Sequence, residues 1–88
     1  MKTILFYWSK GADTRRRIIR LIAECGKKDK GCYSSMLADK LKMSHVAMKK
    51  HLDLLAEEGY VEVLNPEGKP NYLALTAKGK EMLKEISG

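Results

Sequence analysis

The sequence predicts a mainly helical α+β domain: three helices, a β-hairpin and a fourth helix, with a short N-terminal arm or strand ahead of them. Three observations carry this. Apolar residues recur at three- and four-residue steps over three stretches between Asp13 and Leu55, the signature of helices with one buried face. After Gly59 the pattern shifts to β-branched and aromatic types on either side of Asn65, Pro66, Glu67 and Gly68, which predicts two strands joined by a turn. The 88 residues, 44% hydrophobic and 32% charged with two prolines, suit one small globular unit, exclude a multidomain enzyme and are unlike disordered or collagenous sequences. The chain divides into an arm, residues 1–11, and a folded domain, residues 12–88.

In the arm, Ile4, Leu5, Phe6, Tyr7 and Trp8 are cut off by Ser9, Lys10 and Gly11. The run is too short for periodicity to separate a strand from a helical turn, and far below the roughly 18 residues of a membrane span. It either plugs the domain's own core or offers apolar surface to a second copy. From Asp13 onward, Ile18, Ile19, Leu21, Ile22 and Cys25 line one face of the first helix, which Gly26 is expected to end in a left-handed cap. Lys27 to Gly31 contain no apolar side chain and read as a solvated loop.

Ser34 or Ser35 offers an N-cap to a second helix carrying Met36, Leu37, Ala38 and Leu41. That helix is short and ends near Met43. Ser44 caps the third, whose Met48, Leu52 and Leu55 share a face through i, i+4 and i+7 spacing, and Gly59 stops it. Tyr60 to Leu64 and Tyr72 to Leu75 are the two strands, with Lys69 and Pro70 near the hairpin tip. Thr76 caps a last helix carrying Met82, Leu83 and Ile86. Gly79 inside it costs about 1 kcal/mol of helix propensity relative to Ala, which predicts a close packing contact there.

A short helix, a tight turn around Lys42 to Ser44 and a second helix form a helix-turn-helix, and a hairpin directly after it forms a wing. Four local patterns follow one another in matching order. Thr14, Arg15, Arg17, Ile18 and Ile19 open the first helix. Leu37, Ala38, Asp39, Lys40 and Leu41 make a Leu-Ala-acid-x-Leu step. His51, Leu52, Leu55, Glu58, Gly59, Tyr60 and Val61 close the third helix and begin the wing, and Leu75, Thr76 and Gly79 make a Leu-Thr-x-x-Gly step. In these patterns, over residues 12–86, the chain resembles the winged helix-turn-helix transcriptional regulators of the ArsR and MarR type. The resemblance implies a sequence-specific regulator on double-stranded DNA, with helix 44–55 in the major groove and wing 60–75 on the backbone or minor groove. Such regulators usually dimerise to read a two-fold operator.

A helix lying in the major groove needs an apolar face toward its own core and an opposite face of polar or small side chains that reach base edges. The third helix has both. Its outer side carries His45, Val46, Lys49 and Lys50, where lysines suit guanine edges or phosphates and Val46 suits a thymine methyl. Ser34, Ser35 and Ser44 stand at helix starts, where free N–H groups and the positive dipole end favour phosphate, though capping accounts for them equally. Lys69 is the wing's candidate contact, or an ordinary hairpin lysine.

The charge is unevenly placed. The chain carries +6 overall with a pI near 9.4, which favours an anionic partner. Residues 44–59, however, hold Lys49 and Lys50 against Asp53, Glu57 and Glu58. Residues 13–31 hold seven cations, among them Arg15, Arg16, Arg17 and Arg20, against three acids. Arginines in the first turns of a helix oppose its dipole. Arg15, Arg16 and Arg17 are therefore expected to extend a phosphate-binding surface, with Arg15 and Arg16 as candidate DNA contacts, to bridge to carboxylates such as Glu57 or Glu58, or to pair with a dimer partner. Arg16 also departs from a position that is usually apolar in the family.

Cys25 and Cys32 flank a short loop with no secretory signature, and are expected as reduced thiols of a cytoplasmic protein. Many ArsR-type repressors sense metals through a Cys-x-Cys pair on the DNA-reading helix or through His and carboxylates on the last helix. This chain has neither pattern, so no metal or other cofactor is expected. There is no glycine-rich phosphate loop or nucleophile elbow, so no enzymatic activity is expected. Two rivals stay open: a winged helix serving as a protein-interaction module of a larger assembly, and RNA binding through the basic first helix.

Overall fold

The first helix, α1 (Ala12–Lys27), begins where Gly11 takes φ +87° and the N–H of Arg15 donates to the Gly11 carbonyl at 3.0 Å. Asp13 in the first turn complements the helix dipole. Ile18, Ile19, Ile22 and Cys25 form the buried stripe that the spacing predicts. The helix runs through Gly26 to Lys27, so Gly26 is not the left-handed terminator. A single helical glycine costs only about 1 kcal/mol, and Cys25 holds the last turn on the core. The computed structural model describes residues 6–7, 10–27, 32–65, 67 and 72–87.

Strand β1 (Cys32–Tyr33) comes next, where the sequence pattern predicts no strand. Two residues are too few to show a period, so only pairing with a partner reveals it. Helices α2 (Ser34–Leu41) and α3 (His45–Glu57) follow, then β2 (Val61–Val63), β3 (Tyr72–Leu75) and α4 (Ala77–Ser87). The three strands form one antiparallel sheet in the order β1-β3-β2. Cys32 lies opposite Leu73 and Tyr33 opposite Tyr72, while Val61 lies opposite Leu75 and Val63 opposite Leu73. This register turns Cys32, Leu73 and Val61 inward.

The N-cap position of α2 is Tyr33, with no side-chain cap bond. Ser34 and Ser35 are already helical, which corrects the expectation that one of them caps this helix. At the other end α2 stops with Lys42 at φ 54°, ψ 47°. The N–H of Lys42 donates to Asp39 at 3.3 Å and that of Met43 to Ala38 at 3.0 Å. Helix α3 ends by the same pair of bonds around Gly59 at φ +86°, with Gly59 donating to Ala56 at 3.1 Å and Tyr60 to Leu55 at 2.9 Å. These are two Schellman motifs, one with the glycine the motif favours and one with a lysine.

The core gathers Ile18, Ile19 and Ile22 of α1, Leu37 and Ala38 of α2, and Met48, Leu52 and Leu55 of α3. Tyr60, Val61, Leu73 and Met82 close it from the sheet and α4. Phe6 belongs to the same cluster at 0% exposure, its ring edge-on to Tyr60 with centroids 5.0 Å apart. At this residue the arm plugs its own core; Ile4, Leu5 and Trp8 lie outside the described residues.

Gly79 has the close contact its helix position predicts. A Cβ there would overlap the carbonyl oxygen of Tyr60 and stand 3.3 Å from Leu75 Cβ. The first turn of α4 thus lies directly on the strand that leaves α3. Three successive carbonyls of that exit accept from it: Glu58 from Lys78 Nζ at 2.5 Å, Gly59 from Thr76 Oγ1 at 2.5 Å, and Tyr60 from the Thr76 N–H at 3.1 Å. Thr76 Oγ1 also accepts from the Gly79 N–H at 3.0 Å, which makes Thr76 the helix cap.

Candidate nucleic-acid interface

The outward side of α3 is created by its inward one. With Met48, Leu52 and Leu55 buried, the 100° step per residue turns Val46, Lys49, Lys50 and Asp53 outward, and all four are exposed. Val46 is 68% exposed, a β-branched side chain left in solvent on an otherwise polar face. Ser44 holds the start of the helix, its Oγ accepting from the Ala47 N–H at 3.1 Å. The one-residue left-handed turn at Lys42 sets the approach of α3 to α2.

Two contacts on this face were not foreseen. Lys49 Nζ lies 3.1 Å from Asp53 Oδ2, an i,i+4 pair that occupies part of the lysine's charge. His45 Nε2 lies 3.5 Å from Asp39 Oδ1, joining the first turn of α3 to the end of α2. The i,i+4 spacing of Lys49 and Asp53 was visible in the sequence. The His45 contact depends on the angle between two helices and was not.

Ser34 is exposed and Ser35 half-buried on the first turn of α2, while Ser44 is exposed at the cap of α3. Lys69 lies outside the described residues. The described part of the wing presents Val63, Leu64 and Tyr72 to solvent. Tyr72 meets Tyr33 edge-on at 6.0 Å across the β1–β3 pair.

The arginines of α1 turn to the arm, to an acid of their own helix and to α4. Arg15 is 7% exposed and its Nη2 donates to the Lys10 carbonyl at 2.9 Å, so its guanidinium is turned to the arm. Arg16 donates to the Phe6 carbonyl, reaches Asp13 Oδ1 at 3.2 Å and lies 5.3 Å over the Tyr7 ring. Arg17 pairs with Asp13 Oδ2 at 3.2 Å, and Arg20 donates to the Ile86 carbonyl of α4 at 3.0 Å. The carboxylate that meets Arg16 and Arg17 is Asp13 of their own helix, not Glu57 or Glu58. One acid at the first turn plus backbone carbonyls explain how arginines are retained where the dipole disfavours them.

His51 is half-buried on α3. It lies under Gly11, where an added Cβ would stand 2.7 Å from its Cε1. Burial, and then the neighbouring Arg15 charge, hold its pKa below the ordinary histidine range. Cys25 and Cys32 are buried free thiols. Among the described residues no three His, Cys, Asp or Glu side chains gather as a metal site, and no helix is long and apolar enough to cross a membrane.

No protein-family profile matches the chain, and no curated protein does. Among solved structures, a mutant of MepR from a multidrug-resistant S. aureus clinical isolate superposes with TM-score 0.74 at 12% identity, over 86% of this chain and 55% of that one. The adhesin competence repressor AdcR of Streptococcus pyogenes gives 0.72 at 20% identity, over 98% and 63%. A Lactococcus lactis ZitR mutant in apo form gives 0.72 at 25% identity, over 98% and 63%. The chain therefore spans less than two thirds of the length of each. Of these, AdcR is by its name a repressor. Element order, sheet topology and this likeness give the chain the winged helix-turn-helix fold of MarR/ArsR-type transcriptional regulators.

Proposed function

We propose that the chain is a sequence-specific, double-stranded DNA-binding transcriptional regulator without enzymatic activity, working in the cytoplasm. Residues 44–55 enter the major groove and the wing, residues 60–75, lies on the backbone or minor groove. The observation that carries this is the outer face of α3, where Val46, Lys49 and Lys50 stand exposed beside His45 on a helix anchored by three buried side chains. Lys50 and Lys49 read guanine edges or phosphates, and Val46 packs on a thymine methyl. Ser34, Ser35 and Ser44 lie near enough to helix starts to bind phosphate, and Lys69 meets the backbone from the wing. Arg15 and Arg16 leave the contact set, because their guanidinium groups hold the arm. A homodimer would present two such helices to a two-fold site.

Duplex binding measured against salt tests this. Each neutralised phosphate contributes a slope of about −0.9 in log K against log salt; binding that is absent at low salt, or indifferent to salt, sinks the proposal. A second reading, docking of a protein partner, draws on Leu64 at 60% exposure beside Tyr72 on the wing. Its signature is partner binding that is insensitive to salt and lost on Leu64→Ser. RNA binding through α1 loses its main support, since the arginines of that helix are engaged within the fold.

A further inference from the structure

The exposed face of α3 carries a carboxylate where a DNA-reading helix has least use for one. On the 100° step per residue, Asp53 falls between Lys49 and Lys50, in the middle of the exposed strip. Its carboxylate holds Lys49, whose Nζ donates to Oδ1 at 3.3 Å and to Oδ2 at 3.1 Å. Lys50, on the other side, makes no ion pair among the described residues. Two lysines of one face therefore differ: the charge of Lys49 is compensated and that of Lys50 is not. With side chains 74% and 66% exposed, the Lys49–Asp53 pair adds little to stability in water. Against DNA the carboxylate matters more, because phosphates repel it.

We propose that Asp53 is a specificity-determining residue of the DNA-reading face: it keeps Lys49 on base edges and off the phosphates, and it accepts from the N4 amino group of a cytosine. The proposal rests on the DNA reading above and assigns the two lysines different tasks. For Lys49 to reach a phosphate it has to abandon Asp53, leaving a bare carboxylate against a polyanion. The pair therefore enters the groove intact, with Lys49 directed to a guanine edge, while Lys50 is free to neutralise a phosphate. Lys49 takes one bond from each carboxylate oxygen, and further lone pairs remain on both. In the major groove the base-edge donor that a carboxylate suits is the cytosine amino group. Guanine and thymine present acceptors there, so Asp53 refuses them.

The experiment starts from the site that the full chain selects out of a random duplex pool. Binding to that site, and to copies with each base pair exchanged in turn, is then measured against salt. The proteins are the unmodified chain, Asp53→Asn, Lys49→Ala and the double variant, all changed only at exposed positions. Asp53→Asn should lose roughly tenfold discrimination at one C·G pair and bind unrelated duplex more tightly. Its slope of log K against log salt should steepen by about 0.9, one phosphate more, because Lys49 is released. In the Lys49→Ala background that steepening should vanish. Steepening of equal size in both backgrounds would reduce Asp53 to a diffuse negative charge, and unchanged discrimination at every pair would make it an ordinary surface acid. Either result overturns the proposal and leaves the DNA reading in place. If the unmodified chain selects and binds no duplex, the DNA reading fails and the role of Asp53 fails with it.

Discussion

Gly79→Ala sets two rules of thumb against each other. Helix propensity alone favours alanine by about 1 kcal/mol in a helix interior. The structure predicts the opposite sign. The new Cβ would overlap the Tyr60 carbonyl oxygen by roughly 1 Å relative to a normal C···O approach of about 3.3 Å. That carbonyl is held by the Thr76 N–H at 3.1 Å, and Leu75 Cβ at 3.3 Å closes the other side. Relief requires α4 to lift off the exit of α3, stretching the bonds from Thr76 and Lys78. Overpacking costs about 1–3 kcal/mol and a weakened hydrogen bond about 1 kcal/mol more. After the propensity gain, the net loss is about 1–3 kcal/mol. At about 4–8 °C per kcal/mol for a domain this size, Tm should fall by roughly 5–20 °C. Thermal unfolding followed by circular dichroism measures it, with Lys80→Ala, exposed on the same turn, as a control expected within about 0.5 kcal/mol. An unchanged or raised Tm would falsify the account of this crossing.

Phe6→Ala should cost about 3–5 kcal/mol, because the ring is fully buried against Tyr60; urea unfolding showing a loss under 1 kcal/mol would mean the arm does not close the core. Lys42→Gly should stabilise by up to about 1 kcal/mol, since a side chain in the left-handed region costs about 1–2 kcal/mol and glycine's extra unfolded entropy returns only part of it. A lower midpoint would refute that. His51 is held below its unfolded pKa of about 6.5, so its contribution is complete above that pH and is lost as pH falls through the folded value. Tm should drop between pH 7.5 and 5.5, and drop less in His51→Gln; parallel curves would remove His51 as the cause. On duplex DNA, Lys50→Ala should shrink the salt slope by about 1. Arg16→Ala should lower Tm and leave that slope alone, and the reverse pattern would return the contact surface to α1.

The helices and the hairpin were legible because each has a local signal: the Ile18 to Cys25 stripe, the Ser44 cap, the Gly59 terminator, and the turn after Leu64. Gly79 was legible as an anomaly, though its cause at Tyr60 was not. What escaped reading depends on distant partners. Strand β1 exists only because Cys32 and Tyr33 meet β3, and Lys42 gives no sign of a left-handed residue where Gly59 announces one. The outer face of α3 followed from spacing alone. The arginines misled because charge counted along the chain does not show direction, and Arg15 and Arg16 turn toward carbonyls of the arm.

The burial of Phe6 against Tyr60 bears on how the protein is made. Contacts within and between α1, α2 and α3 join residues close in sequence and can form as those segments leave the ribosome, whereas loop closure across most of the chain comes late. During synthesis Phe6 has emerged long before Tyr60 exists for it to pack on. Phe6 is thus uncovered throughout the growth of the helix-turn-helix, and during this interval its ring is open to chaperones and to the apolar surface of other growing chains.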